Sequence, residues 1–364
     1  MRGTLAPLVA PTSTPLVSVL VTARDNERHV GAALTSVLRQ TLTSLELLVV
    51  DDGSADATPA IVESLRDERL RFVRFPESRG ISARRNELLE RARGRYVAPL
   101  DADDVWLPDR LERHVRLLES RPDLVAVGSD VLVVDDGVGV GRYFRLPRSD
   151  AAIRWNCLFT SPLIHSASTI RASAFHDGVR YDPAYPLAQD YDLWTKLLRR
   201  GRSENLAVPL TLYRVHSAQA SQRRACERRA EQERIGLRAI EDPAGGHGPT
   251  GDRARLAWCL GAAMAVADEE LEDAIDAYRE LFARIESAYR GTSGLREARR
   301  IAATTLLRRA GLAADAAAWA LRRAALAIDR RVTVSAVAVR AANIAAGRRY
   351  RRPAARLLAD LAEA

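Results

Sequence analysis

Four short apolar runs rich in β-branched residues alternate with amphipathic segments along the first third of this 364-residue chain. Leu16–Val21, Leu45–Val50, Leu70–Arg74 and Tyr96–Leu100 read as strands. Between and after them, His29–Gln40, Asp56–Arg66 with Pro59 in its first turn, Ile81–Ala92 and Pro108–Ser120 read as helices. Strands that alternate with helices of this length predict an α/β fold built on a mostly parallel sheet covered on both faces. Ligands of such sheets bind beyond the carboxyl ends of the strands. Three polar loops fall there, Ala23–Glu27, Asp51–Asp56 and Asp101–Asp104.

Further along, Leu187–Trp194 opens a helix whose apolar positions Leu193, Trp194, Leu197 and Leu198 recur at helical spacing, and Pro209–His216 reads as a strand. After Ser221 the composition changes. Ala218–Ile240 reads as one polar helix, the glycines and prolines of 242–251 read as a linker, and the remainder is rich in Ala, Leu and Arg at helical spacing. Four to six short helices packed as antiparallel pairs are expected there, with Gly294, Gly311 and Gly347 marking the breaks. The expected organisation is a disordered leader over 1–14, an α/β domain over 15–221, a helix and linker over 222–251 and an all-α region over 252–364.

Composition narrows the class. The chain is 47% hydrophobic and 28% charged, enough for a sizeable core and unlike a disordered protein. Cys157, Cys226 and Cys259 lie far apart without metal-ligand spacing, which points to a reducing compartment. No stretch approaches the roughly 18 apolar residues of a membrane helix. The expected location is the cytoplasm, at most peripheral on the inner face of the cell membrane. The positive charge is local: residues 291–364 carry a net charge of +10 and 251–290 one of −4, against +8 for the whole chain. Nucleic acid is not expected as the partner, because a binder would interleave aromatics with arginine and 291–364 holds only Trp319 and Tyr350. Homo-oligomerisation and docking to an anionic membrane surface are the two roles considered for that segment.

The chemistry starts at Asp101 and Asp103. Residues two apart in an extended segment share a side, and a hard divalent cation that also holds phosphates takes only one or two protein carboxylates. The loop after the first strand, Thr22–Glu27, contains no glycine, which excludes a dinucleotide cradle, and no Walker A sequence occurs. It also lacks the glycine- and arginine-rich character expected of a sugar-1-phosphate nucleotidyltransferase. A diphosphate ligand would therefore be neutralised by a cation.

In order and spacing, Pro15–Thr22, Ser36–Thr41, Glu46 through Asp51-Asp52-Gly53-Ser54, Gly80–Asn86 and Ala92-x-Gly94-x-Tyr96 leading to Leu100–Asp104 resemble the family 2 glycosyltransferases. The resemblance runs from about Pro15 to Ser221. It implies a GT-A fold, a nucleotide-diphosphate sugar donor (UDP-, dTDP- or GDP-linked), a divalent metal (Mn2+ or Mg2+), a saccharide or lipid-linked acceptor and inversion at the anomeric carbon. Carried over by position, Thr22 and Asp52 contact the nucleoside, Asp52 through the base, and Arg85 faces the nucleotide. Asp101 lies near ribose and metal, Asp103 is the direct metal ligand, Arg214 pairs with phosphate and His216 reaches the metal. Asp190 is the general base, while Gln189 stands where the family commonly has Glu. Arg84 is expected to be a solvated helix residue, Asn86 a family match that helix capping explains as well, Asp104 a support for the following helix, and His165 a neighbour of the acceptor. A second reading keeps the fold but makes the protein an inactive sugar-nucleotide-binding scaffold that docks through its basic tail. The intact Asp101, Asp103, Asp190 and His216 argue against it.

Overall fold

A computed structural model describes residues 14–135, 139–216, 219, 223–242, 248–313, 315–332 and 349–361. The expected leader, save its last residue, and Gly347 lie outside these. The alternation read from the sequence is present: β1 (Val17–Ala23), α1 (Val30–Leu38), β2 (Leu45–Asp52), α2 (Thr58–Ser64), β3 (Leu70–Phe75), α3 (Ile81–Arg91) and β4 (Tyr96–Asp101). There follow β5 (Val105–Trp106), α4 (Arg110–Ser120), β6 (Leu124–Asp135), β7 (Gly139–Phe144), α5 (Asp150–Cys157), β8 (Ser168–Arg171), α6 (Gln189–Leu197) and β9 (Arg202–Val215).

The nine strands form one sheet in the order β3-β2-β1-β4-β8-β6-β9-β5, with β7 paired to β6. β1 to β4 are parallel neighbours, and the apolar side chains of β1, β2 and β4 are buried on both faces because helices cover both, while those of the edge strand β3 are half-buried. The second half is mixed, with β6 and β9 parallel along most of their length. β8 runs antiparallel to both β4 and β6, and β5 runs antiparallel to β9. β5 has only two residues between the acidic loop and α4, so the chain reverses there without a helical crossover.

Four helices follow, α7 (Ala225–Ile240), α8 (Gly251–Gly261), α9 (Leu271–Ala288) and α10 (Ser293–Ala310), and then α11 (Asp315–Ile328) and a helical segment over 349–361. Gly311 does end α10, but Gly294 lies inside its first turn, where an added Cβ would meet Ser149 Cβ at 3.0 Å. One hydrophobic core spans the boundary expected at 222–251. Trp155 of α5 meets Phe159, Tyr278 and Phe282 edge to face with centroids 4.9, 4.9 and 5.0 Å apart. Glu297 of α10 accepts the N–H groups of Arg148 and Ser149 at 2.9 and 2.8 Å, just before α5 begins. The helical region is thus built onto α5. Among the described residues no helix is long and apolar enough to cross a membrane.

Candidate active site

The loops at the carboxyl ends of β1 and β2 are laced together by their own polar residues. Asp25 N–H donates to Ser54 Oγ at 2.9 Å, Ala55 N–H to Asp25 Oδ1 at 2.9 Å, Glu27 N–H to Asp56 Oδ2 at 3.0 Å and Ala57 N–H to Glu27 Oε2 at 3.0 Å. These bonds fix one wall of a space whose floor is the end of β4. There Thr22 lies in register with Asp101.

Asp101 is the centre of the floor. Its Oδ1 is paired with Arg85 Nη2, and His165 Nδ1 stands 3.5 Å away. Burial would raise the Asp101 pKa, but Arg85, His165 and Ser166 more than offset it and hold the carboxyl well below its usual range. His165 sits in a single helical turn whose Ser166 carbonyl accepts Trp106 Nε1–H at 2.7 Å and whose Ser166 Oγ accepts Asp101 N–H at 3.0 Å. Its Nε2 is 2.8 Å from Tyr181 Oη, and Asn86 grips the Tyr181 backbone in both directions at 2.8 and 3.0 Å. Burial, then the Arg85 charge, lower the His165 pKa, so the ring is neutral near pH 7. Three buried polar atoms here have no protein partner: Thr22 Oγ1, Arg85 Nη1 and His165 Nδ1.

Asp103 and Asp104 face the other way, toward the end of β9. Asp103 Oδ2 lies 3.2 Å from His216 Nε2 and accepts from Gln219 Nε2 at 2.9 Å. Asp104 Oδ1 accepts Arg214 N–H at 2.8 Å, while Arg214 Nε donates to the Asp103 carbonyl at 2.9 Å. Burial, then the charges of Asp103 and Asp101, push the Asp104 pKa well up. That excess of negative charge, with an Asp104 Oδ2 that no group satisfies, suits a divalent cation beside Asp103. Among the described residues no three His, Cys, Asp or Glu side chains converge as a metal cage. Asp103 and His216 therefore fit a metal that takes its other ligands from a diphosphate and water, as Mg2+ does. Asp101 fits less well, because Arg85 already occupies Oδ1.

Asp190 stands in the first turn of α6, with Oδ2 3.5 Å from Ser161 Oγ. Its charge bears on His165, Tyr181 and Tyr213, and Tyr213 also feels Asp101, Asp103 and Asp104. Asp190 and the acidic loop thus lie close enough to act electrostatically on the same buried Tyr213.

Residues 18–178 match the Glycosyl transferase family 2 profile. An uncharacterized glycosyltransferase of Haemophilus influenzae is 30% identical over 218 residues, which cover 57% of this chain and 68% of that protein. The succinoglycan biosynthesis protein ExoO of Rhizobium meliloti is 33% identical over 199 residues, covering 51% and 57%. The Escherichia coli UDP-Glc:alpha-D-GlcNAc-diphosphoundecaprenol beta-1,3-glucosyltransferase WfaP is 27% identical over 209 residues, covering 57% and 80%. Among solved structures, S. aureus TarS 1-349 in complex with UDP-GlcNAc is alike with a TM-score of 0.55 at 17% identity, over 86% of this chain and 90% of that one.

The chain is a family 2 glycosyltransferase. Its fold is GT-A, with a helical C-terminal region.

Several residues of this glycosyltransferase are not where its sequence places them. Arg84 is no solvated helix residue: its side chain is 1% exposed, its guanidinium lies 3.5 Å above the Phe75 ring, and Nε donates to Asp52 Oδ1 at 2.6 Å. Asp52 has both oxygens filled, Oδ1 by Arg84 and Arg79 N–H at 2.9 Å, Oδ2 by Ser78 Oγ at 2.6 Å and Gly80 N–H at 3.0 Å. Against the upward pull of burial, these four donors lower its pKa. Through these bonds the Asp52 carboxylate shapes the 78–80 turn. Asp104 supports β9 rather than the start of α4. Gln219 on Asp103, and His29 with its ring 5.3 Å from that of His216, carry no sequence signal of their own.

Proposed function

We propose that this glycosyltransferase moves a sugar from a nucleoside diphosphate, with inversion, to a hydroxyl of a saccharide carried on a lipid diphosphate, in the assembly of a cell-surface polysaccharide. The observation that carries the reading is the trio of buried, unpartnered atoms round Asp101, Thr22 Oγ1, Arg85 Nη1 and His165 Nδ1. Buried polar atoms are nearly always satisfied. Ribose hydroxyls and phosphate oxygens offer the acceptors and donors these three lack, at the carboxyl edge of parallel strands where nucleotides bind. The name of WfaP pairs UDP-Glc with a diphosphoundecaprenol acceptor, and TarS is solved with UDP-GlcNAc; both support a UDP-sugar donor here.

Asp190 is the base. The acceptor oxygen loses its proton to Asp190 as it forms a bond to the anomeric carbon, and the bond from that carbon to the diphosphate oxygen breaks on the opposite face. A carboxylate suits this step because it need take the proton only as the oxygen attacks. Asp103 and His216 would hold a Mn2+ or Mg2+, which would stabilise charge on the departing diphosphate. Arg85 keeps Asp101 ionised and turned toward the ribose. Arg214 pins the acidic loop to β9 and brings a second guanidinium to the diphosphate side.

A thermal-shift screen of UDP-, dTDP- and GDP-sugars, each with Mn2+ or Mg2+, tests the reading. A rise in melting temperature for one base, enhanced by metal, is expected; no rise with any nucleotide sugar would overturn it.

A further inference from the structure

The positive charge of the C-terminal region is not spread evenly over solvated faces. The helical segment 349–361 lies across the sheet and turns Ala354 and Leu361, with the partly buried Tyr350, Leu357 and Leu358, onto a patch formed by Val105, Leu132, Val134, Tyr143 and Leu212. Its other face bears Arg349, Arg352 and Arg356, all exposed and spaced so that they share one side of a helix. Arg351 reaches sideways, and its Nε donates to the Gly141 carbonyl of β7 at 3.0 Å. That bond brings the helix beside Arg145, exposed just past β7 on the Tyr143 side, whereas Arg142 and Phe144 alternate with Tyr143 and stand on the other face of the strand. Segments two hundred residues apart in sequence therefore build a single ridge.

Aromatic rings organise the ridge from beneath. Tyr143 and Tyr350 are stacked with centroids 6.0 Å apart. Arg145 lies over Tyr143 at 5.6 Å and Arg349 over Tyr350 at 5.8 Å. A guanidinium resting on a ring keeps its N–H edges free for phosphate oxygens. None of these arginines forms an ion pair with a carboxylate among the described residues. Among the described residues the acids on the hairpin and the helix are Asp130, buried and paired with Arg148, Asp135, at the turn end of β6, and Asp360, at the far end of the helix.

We propose that this arginine ridge docks the protein on an anionic lipid bilayer, with phosphate headgroups on the guanidinium groups. Several arginines on one outer face match a charged plane. The ridge helix covers Val105, the residue after Asp104, so docking holds the mouth of the site beside the membrane. In purpose this rests on the lipid-linked acceptor proposed above.

The test is flotation of the full chain with vesicles of phosphatidylcholine alone or mixed with phosphatidylglycerol, at low and high salt. Wild type is expected to float with the anionic vesicles at low salt only. The variant R349Q/R352Q/R356Q, which spares the Arg351 bond, is expected to lose about tenfold or more of the bound fraction. The control R296Q/R300Q/R308Q removes three exposed arginines of α10 and is expected to stay within about twofold of wild type. Equal flotation of the ridge variant, an equal loss in the control, or retention of the chain by polygalacturonate but not by anionic vesicles would overturn the proposal. Transfer of the sugar to a soluble saccharide acceptor, read as release of nucleoside diphosphate, is followed in parallel. Its absence in every form sinks the transfer reading and leaves the flotation result standing.

Discussion

Glu231 of α7 accepts the backbone N–H of Ala188 at 2.9 Å, and the same Oε2 accepts that of Leu187 at 2.9 Å. These amides immediately precede α6, so a side chain from the helical region fixes the start of the helix that carries Asp190. Glu231 is 6% exposed. Replacing Glu231 by Ala strands two buried donors, a loss of about 1–3 kcal/mol each in buried surroundings. The expected outcome is a kcat reduced at least about tenfold with donor affinity kept, and recovery of most activity in Glu231→Gln, which retains an acceptor oxygen. Steady-state kinetics beside donor titration would separate this from general unfolding, which lowers both together.

Asp190→Asn keeps the size of the side chain and removes the base. Transfer should fall by about a hundredfold to ten-thousandfold, while nucleotide-sugar affinity stays within about threefold of wild type, because the donor contacts lie round Asp101. Full activity of the variant would exclude Asp190 as base.

Asp103→Ala removes the carboxylate held by His216 and Gln219. Calorimetric titration with UDP-sugar should lose its dependence on Mn2+ or Mg2+, leaving a weak, metal-insensitive interaction. A titration still enhanced by metal in this variant would place the cation elsewhere.

The pair of Asp52 and Arg84 is buried on both sides, at 4% and 1% side-chain exposure. Removing one partner of such a pair costs about 3–5 kcal/mol, because the other stays buried with its charge uncompensated. Arg84→Met is therefore expected to lower the denaturation midpoint strongly and to loosen the 78–80 turn. Chemical denaturation compared with Arg91→Met, at an exposed position, measures it.

His114 is fully buried, with Nδ1 3.1 Å from Thr169 Oγ1. Burial and the neighbouring Arg110 charge depress its pKa well below the ordinary value of 6.5. The unfolded chain thus binds a proton that the folded chain refuses, and the linkage has one sign: stability is complete above pH 6.5 and is lost as pH falls below it. Melting temperature is expected to drop between pH 7 and 5, and His114→Gln should flatten that slope. A steeper slope in the variant would contradict the assignment.

The parallel half of the fold is legible because its signals are local. Each strand is a short apolar run, each helix has its own period, and β2 and β4 end within two residues of where Leu45–Val50 and Tyr96–Leu100 place them. The antiparallel half is not, since β8 and β5 are four and two residues long and owe their existence to neighbours far along the chain. The same division runs through the site. Asp101 and Asp103 announce themselves by spacing. Arg84 looks like one more charged residue on a polar helix until Phe75 and Asp52 close round it, and Gln219 gains its place only because a strand returns 116 residues later to Asp103.

The edge-to-face cluster round Trp155 ties α5, which follows the β6–β7 hairpin, to α9 of the helical region. An aromatic cluster of this kind is worth several kcal/mol, since removing one buried Trp costs about 3–5 kcal/mol. A chain cut after Ser221 would leave the Trp155 indole and the Phe159 ring facing water on a sticky patch. The helical region is consequently no cassette that gene fusion could exchange at will: whatever sugar chemistry the front part acquires, it inherits these particular helices with it.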